Sequence, residues 1–205
     1  YFSKLSQNNF PNKKLISLNL VEKLRYGENP HQEAAVYSLD KKVNMNQLNG
    51  KKLSYNNYND IFSALMISKN LPKNKGVVII KHGNPCGISI NKNKVKSYKL
   101  ALSCDPISAF GGIVGCNFKL NKSLALELKK IFLEVVIANG FEKDALRILK
   151  QKNNLRIIDA SKFGLKNFHS IVSNFGNFLI QNYDNVHLSA KNFNIVSKKK
   201  PDKKT

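Results

Sequence analysis

The residues best suited to chemistry in this chain stand together in one heptapeptide, Lys81-His82-Gly83-Asn84-Pro85-Cys86-Gly87. It supplies a cation, an imidazole, an amide and a thiol, which are groups that bind anions and transfer protons. Two glycines and a proline favour a tight backbone path that brings such groups close together. The alternative is a basic turn at the end of a strand, and the heptapeptide alone does not exclude it.

The residues before this segment, Gly76-Val77-Val78-Ile79-Ile80, form a short apolar run rich in β-branched side chains. Such a run is typical of a fully buried strand in a parallel sheet. Ligands of open α/β sheets bind just beyond the carboxyl ends of strands, so Lys81 and His82 stand where such a fold places its chemistry. Adjacent residues of a strand point to opposite faces, so these two side chains share a site only if the pleat breaks there.

Two further segments carry side chains suited to ligand binding. The first, residues 24–32 (LRYGENPHQ), contains Arg25, the only arginine before residue 147 in a lysine-rich chain. A guanidinium in such a chain indicates a phosphate or carboxylate partner, and the alternative is a structural ion pair. The second, residues 105–112 (DPISAFGG), ends in two glycines that allow close approach of a ligand or another backbone.

Strand and helix patterns alternate through the middle of the chain, which predicts an α/β protein with a largely parallel or mixed sheet. We expect a helix after a cap at Asn57 or Asn59, with Ile61, Leu65 and Met66 on its buried face. The remaining predicted helices cover residues 92–103, 121–131 and 142–151, and the remaining predicted strands cover 15–20, 34–37, 113–115, 134–138, 155–158, 170–173 and 178–181.

The 205-residue chain has a formal net charge of +21, which invites a nucleic-acid partner. Lysine supplies almost all of this charge and is scattered along the chain beside abundant asparagine, so the charge indicates a bias of composition. Recognition surfaces use more arginine, because its guanidinium binds phosphate in a bidentate manner. We therefore predict no nucleic-acid partner and keep a basic RNA-binding α/β module as the alternative function.

The three cysteines, Cys86, Cys104 and Cys116, are odd in number and form no C-x-x-C pair. This pattern argues against both a zinc site and a disulfide scaffold, so we predict no metal and a reducing, cytoplasmic location. No apolar run reaches the length of a membrane span, and we predict no membrane association.

In order and spacing, the three segments resemble the formyltransferase part of a bifunctional purine-biosynthesis family. That family joins aminoimidazole carboxamide ribonucleotide (AICAR) transformylase to inosine monophosphate (IMP) cyclohydrolase. Residues 134–138 (EVVIA) and 142–146 (EKDAL) continue the likeness, which covers essentially the whole chain. The resemblance implies a layered α/β/α sheet with a cytidine-deaminase-like fold.

The resemblance also implies that the chain is a fragment. Residues 1–22 are expected to lead from an absent N-terminal cyclohydrolase domain. Residues 23–196 are expected to form the first sub-domain of the transformylase, and residues 197–205 a linker to an absent second sub-domain. The fragment alone is expected to be inactive or weakly active.

The implied reaction moves a formyl group from 10-formyltetrahydrofolate to the 5-amino group of AICAR, in the de novo synthesis of IMP. The parent protein is expected to carry IMP cyclohydrolase activity elsewhere and to form a homodimer with shared active sites. The folate-binding residues are expected to belong to the absent half. AICAR and 10-formyltetrahydrofolate are the expected partners, the latter as co-substrate.

The resemblance assigns roles to seven residues. His82 is the expected base for the amine, and Lys81 is expected to favour the neutral imidazole and to stabilise the developing oxyanion. Cys86 is expected to be a packed small side chain rather than a nucleophile. The expected nucleotide-binding residues are Arg25, Tyr26, Asn56, Gly111 and Glu134.

Overall fold

The structure is a computed structural model that describes residues 10–164, 169–182, 184, 194, 196 and 198. The chain divides into two compact units, Tyr1–Gly164 and Leu165–Thr205. Residues 1–9 of the predicted leading segment, and all of the predicted 197–205 linker except residue 198, lie outside the described residues. The sub-domain limits at residues 23 and 196 stay predictions.

The helices and strands follow in this order: β1 (Asn19–Lys23), β2 (Ala35–Ser38), β3 (Asn46–Asn49), α1 (Tyr55–Asn70), β4 (Gly76–Lys81), β5 (Asn84–Ile90), α2 (Lys94–Cys104), β6 (Ile113–Cys116), α3 (Lys122–Leu128), β7 (Val135–Ala138), α4 (Lys143–Lys150), β8 (Arg156–Asp159), β9 (Ser170–Asn174) and β10 (Asn177–Gln181). Within the described residues, no helix is both long and apolar enough to cross a membrane.

A six-stranded sheet forms the centre of the first unit, in the order β3-β8-β7-β6-β4-β5. Strands β6, β7 and β8 run parallel to one another, β4 runs antiparallel to both β6 and β5, and β3 runs antiparallel to β8. The predicted mixed α/β architecture is therefore confirmed.

The prediction that the run before Lys81 is a parallel strand is wrong. Residues Gly76 to Ile80 of β4 are fully buried, as expected, but both neighbours of β4 pair with it in antiparallel orientation. A continuous apolar run arises wherever both faces of a strand are covered, so it indicates burial and not strand direction.

Helices cover both faces of the sheet. Val78 and Ile80 pack with Ile61 and Leu65 of α1, while Val77 and Ile79 point to the opposite face. There they join side chains of α2, α3 and α4, including Tyr98, Leu124 and Leu149. The alternation of side chains along β4 thus feeds two separate cores, which gives the predicted three-layer α/β/α arrangement.

Helix α1 begins one turn earlier than predicted. Its N-cap is Ser54, whose hydroxyl accepts a hydrogen bond from the Asn57 N–H at 3.2 Å, and the Asn57 side chain accepts in return from the Ser54 N–H. This reciprocal pair is a capping box with asparagine at the third position. Ile61 and Leu65 are buried as expected, but Met66 is 48% exposed and the prediction for it is wrong.

The other helices match the predicted segments, with α3 ending three residues early at Leu128. Asn93 caps α2 by accepting from the Lys96 N–H, and Asn121 caps α3 by accepting from the Leu124 N–H. Short asparagine side chains suit this position because they satisfy an N–H group that has no partner within the helix.

Strands β1 and β2 form an antiparallel pair within the first unit, so the predicted strand at residues 15–20 begins and ends a few residues later. Val36 of β2 joins the core beside α1, and the Tyr58 hydroxyl donates to the Glu22 carboxylate of β1 at 3.1 Å. In the second unit, β9 and β10 form a hairpin with Ile171 opposite Ile180, which confirms the two strands predicted there.

Candidate active site

One edge of the central sheet carries three of the seven residues to which the resemblance assigns roles. Lys81 ends β4 at this edge. Because Ile80 of β4 pairs with Ile113 of β6, the residues just before β6 lie beside Lys81. The Glu134 N–H donates to Gly112 O at 3.1 Å, and the Arg156 N–H donates to Glu134 O at 3.1 Å. Four neighbouring strands thus place Lys81, Gly111-Gly112, Glu134 and Arg156 along a single line.

This edge differs from the one that sequence analysis predicted. Lys81 does stand at the carboxyl end of its own strand, but β4 opposes β6, β7 and β8, so the edge carries the amino ends of the parallel strands. Ligands of open α/β sheets bind beyond the carboxyl ends of the parallel strands, and β4 runs opposite to those strands. Lys81 lies beside Gly111 and Glu134 because β4 runs antiparallel to β6 and β7.

The pleat of β4 breaks immediately after Lys81. His82 and Gly83 form the two-residue loop between β4 and β5, with φ angles of 52° and 75°. Two consecutive positive φ angles define a type I′ hairpin turn, which asparagine and glycine adopt most readily. A left-handed conformation costs a residue with a Cβ about 1–2 kcal/mol, so His82 occupies this position at a local cost. The side chain of His82 is exposed.

The Lys81 ammonium is fixed by a backbone group of the loop before β6. Its Nζ donates to Phe110 O at 2.6 Å, which leaves two of its three protons for other acceptors. Gly111, the next residue, has a φ of +72°, and an added Cβ would lie 3.9 Å from Lys81 Nζ and 3.5 Å from the Phe132 ring. Glycine at this position therefore satisfies the backbone conformation and keeps the space beside the ammonium open.

Glu134 is held from two sides. Asn57 Nδ2 donates to Glu134 Oε2 at 2.9 Å, and Arg156 Nη1 lies 3.7 Å from the same oxygen. The Glu134 side chain remains 45% exposed, whereas Arg156 is only 17% exposed. The carboxylate is thus oriented by protein donors while part of it still faces solvent.

Asn56, which the resemblance placed in a loop near the site, lies instead in the first turn of α1 and is exposed. Its neighbour Asn57 makes the contact to Glu134 and is buried. The sequence analysis did not identify Asn57 and Arg156 as site residues. The signal for Asn57 was its place three residues after Ser54, and Arg156 was one of only three arginines in the chain.

The loop that carries Arg25 and Tyr26 connects β1 to β2. The Leu24 N–H donates to Ala34 O at 2.9 Å and the Gly27 N–H donates to Gln32 O at 2.7 Å, so the loop is closed at its base. The Arg25 guanidinium lies 5.6 Å from the centre of the Tyr26 ring, a distance that allows a cation–π interaction. Arg25 itself is exposed.

A cavity of about 440 Å³ joins this loop to the sheet edge. Its wall contains Tyr26, Leu53 and the helix cap Ser54, and also one carboxylate, Glu22. The peptide dipoles of α1 add positive potential at its first turn. The cationic residues of the wall are Lys23, Arg25, Lys51, Lys52 and Arg156. Such a cavity favours an anion, and its arginines suit phosphate or carboxylate.

Cys86 is packed against the core rather than fully exposed. It lies partly buried against the core beside α2, and burial, with a smaller contribution from the Asp105 carboxylate, raises the pKa of its thiol. A protonated thiol is a poor nucleophile, which fits the packing role expected for it. In the described part of the chain, no group of three or more histidine, cysteine or acidic side chains is placed to hold a metal ion.

A family model described as AICARFT/IMPCHase bienzyme matches residues 1–205. The chain belongs to this family. Its relatives include three bacterial proteins named bifunctional purine biosynthesis protein PurH.

The relative from Leptospira biflexa is 42% identical over 209 residues, covering 98% of this chain and 39% of the relative. The relative from Prochlorococcus marinus is 44% identical over 205 residues, covering 93% and 40% respectively. The relative from Caldicellulosiruptor saccharolyticus is 39% identical over 213 residues, covering 100% and 41%. This member of the bienzyme family therefore spans about two fifths of the length of the curated relatives it matches.

Proposed function

We propose that this chain carries the nucleotide-binding and catalytic part of an AICAR formyltransferase. The observation that supports this function best is the convergence of Lys81, Gly111 and Glu134 at one sheet edge, from three separate segments of sequence. The name shared by the relatives, a bifunctional purine biosynthesis protein, supports the same reaction class.

The phosphate end of the nucleotide binds in the cationic cavity. Arg25 and Arg156 supply guanidinium groups, and Tyr26 supplies an aromatic wall beside Arg25. Strands β8 and β4 are three spacings apart in the sheet, which is roughly 14 Å. A ribonucleotide with its phosphate near Arg156 therefore extends along the edge past Glu134 towards Lys81.

The reacting end lies at the β4–β5 loop. The 5-amino group of AICAR is a weak nucleophile because its lone pair is delocalised into the ring and the carboxamide. As it attacks the formyl carbon of 10-formyltetrahydrofolate, His82 removes its proton. The formyl oxygen becomes an oxyanion that the Lys81 ammonium stabilises. The bond from the formyl carbon to N10 then breaks, and the proton passes to N10 of the released tetrahydrofolate.

The second substrate and the assembly are parts of the same proposal. 10-Formyltetrahydrofolate serves as co-substrate, and its binding residues belong to the remainder of the longer enzyme. By analogy with the family, the longer enzyme is a homodimer with shared active sites and has a cyclohydrolase activity elsewhere in the protein. A cytoplasmic location accompanies them, and the three free thiols are compatible with a reducing compartment.

The test is formyl transfer by the full-length enzyme that contains this segment, with His82→Asn and His82→Ala beside the wild type. Asparagine is the more informative replacement because Asn-Gly is the preferred sequence for a type I′ turn. We expect His82→Asn to keep or raise the free energy of unfolding while transfer falls at least 100-fold, the usual range for loss of a general base. Transfer within a few-fold of wild type in a folded His82→Asn variant contradicts the assignment of His82 as the base.

A further inference from the structure

The loop that presents His82 needs support from outside the hairpin. His82 adopts a φ of 52°, a conformation that residues with a Cβ rarely take and that persists only where neighbouring structure enforces it. Within the hairpin, Asn84 Nδ2 donates to His82 O at 3.1 Å. That contact alone joins two residues of one exposed turn, so it does not fix the turn relative to the sheet edge.

The external support comes from Asp60 of helix α1. The Gly83 N–H donates to Asp60 Oδ1 at 2.6 Å, a short hydrogen bond to a carboxylate oxygen. Hydrogen bonds of this kind are about twice as strong as those between neutral groups. Asn59, the preceding residue, lies against the same glycine. A Cβ added at Gly83 would lie 3.5 Å from Asn59 Nδ2.

The backbone of α1 at Asp60 is anchored in the core by its neighbours. Ile61, the next residue, is fully buried in the core beneath α1, and Ala64 one turn later is also fully buried. Because the helix is packed on the core, its carboxylate gives the bound loop a defined point of attachment. Burial is the main cause of the raised pKa of the Cys86 thiol in β5, and the Asp105 and Asp60 charges add to it.

We infer that Asp60 is a positioning residue for His82. Its carboxylate anchors the Gly83 N–H, and this anchor holds the left-handed turn that directs the imidazole away from the pleat of β4. The inference rests on the proposed function for the role of His82, whereas the anchoring of the loop stands on the Asp60–Gly83 contact. Asp60 contacts no substrate in this account and acts only through the loop.

The kinetic test compares Asp60→Ala and Asp60→Asn in the full-length enzyme, with Asp144→Ala as the matched control. Asp144 is an exposed acidic residue of α4, paired with Arg147, and lies away from this sheet edge. Asp60→Asn keeps an oxygen that can accept from the Gly83 N–H, whereas Asp60→Ala removes it. Displacement of a catalytic group by about 1 Å can cost about 100-fold in rate.

We therefore expect Asp60→Ala to lower kcat by about 10- to 100-fold with the KM for AICAR changed less than about threefold. Asp60→Asn is expected to restore most of kcat, and Asp144→Ala to match the wild type. An unchanged kcat in Asp60→Ala overturns the inference. So does a loss confined to KM, because it indicates a role in binding.

Hydrogen exchange of the same variants, followed by mass spectrometry, measures the stability of the hairpin anchor independently of activity. Peptides that cover the β4–β5 hairpin should exchange faster in Asp60→Ala than in the wild type, and peptides from α4 should not change. If the wild type transfers no formyl group, the proposed function fails, and faster exchange still supports the anchor. Unchanged exchange in the hairpin overturns the anchor whatever the activity.

Discussion

Asn57 Nδ2 donates to Glu134 Oε2 at 2.9 Å and so joins the first turn of α1 to the start of β7. The same oxygen faces Arg156 Nη1 at 3.7 Å, while neither contact uses Oε1. One hydrogen bond and one ion pair therefore orient Oε2 of the carboxylate. This arrangement makes Glu134 the centre of the line of residues that runs from the cationic cavity to Lys81.

Replacing Glu134 by glutamine tests its contribution to nucleotide binding. The amide keeps the shape of the side chain but removes the charge, and a hydrogen bond to a charged group contributes about 1.5–3 kcal/mol. We expect Glu134→Gln to weaken AICAR binding at least 10-fold in a calorimetric titration, with little change in the urea midpoint. Glu127→Gln, which removes a partly buried carboxylate of α3 paired with Lys99 and Lys130, serves as the control and should bind normally.

Replacing Gly111 by alanine tests the open space beside Lys81. A Cβ at a φ of +72° costs about 1–2 kcal/mol and would enter the region between Lys81 Nζ and the Phe132 ring. Gly140→Ala is a matched control, because Gly140 has a φ of +95° and lies beyond the opposite end of β7. We expect both variants to lose similar stability and only Gly111→Ala to lose formyl transfer. Equal transfer by the two variants contradicts the proposed approach of substrate to Gly111.

The stability of the first unit should fall at high pH through Tyr58. Burial, followed by the charge of Glu22 and the hydrogen bond to it, raises the pKa of Tyr58 from 10.0 to about 12. The neutral phenol therefore contributes its full stabilisation below pH 10, and that contribution is lost as the pH rises towards 12. Between these values the loss for this group is at most about 1.4 kcal/mol per pH unit.

Urea unfolding at pH 8 and pH 11 measures this loss. We expect the decrease in the free energy of unfolding to be smaller in Tyr58→Phe than in the wild type, since phenylalanine does not ionise. Identical pH dependence in the two proteins shows that Tyr58 does not carry it.

The three thiols should differ in their reactivity towards a thiol-labelling reagent. Cys104 is exposed, Cys86 is partly buried with a raised pKa, and Cys116 is buried with a pKa raised to about 12. Since the thiolate is the reactive form, we expect Cys104 to react first, Cys86 slowly, and Cys116 only on unfolding. Single Cys→Ser variants assign each phase. Fast labelling at Cys86 contradicts its packed position.

Much of the fold could be predicted from the sequence because the patterns of helices and strands are local. The alternation through α2, β6, α3, β7, α4 and β8 follows from apolar periodicity and from capping asparagines such as Asn93 and Asn121. The direction of β4 could not be predicted in this way. Its burial on both faces is compatible with either orientation, and the antiparallel pairing with β5 depends on a turn formed by His82 and Gly83, not by a typical Asn-Gly pair.

The motifs of the candidate site could be singled out from the sequence, whereas the contacts between them could not. Lys81, Gly111 and Glu134 were identified from their segments, and the strand order that aligns them emerged only from the sheet. Asn57 was predicted as a candidate cap. Its side chain contacts Glu134, which is 77 residues away in sequence, and no local sequence pattern predicts such a contact. Met66 follows Leu65 in sequence, but the helical rotation between adjacent residues carries it out of the core.

The most direct test of the proposed nucleotide site is a calorimetric titration of this chain with AICAR at two salt concentrations. Arg25→Ala is compared with Arg147→Ala, which removes an exposed arginine of α4, and an RNA oligonucleotide is titrated in parallel. We predict saturable binding of AICAR that Arg25→Ala weakens at least 10-fold and Arg147→Ala leaves unchanged. Binding of AICAR that does not depend on Arg25, or binding of RNA alone that fades with salt, contradicts the account.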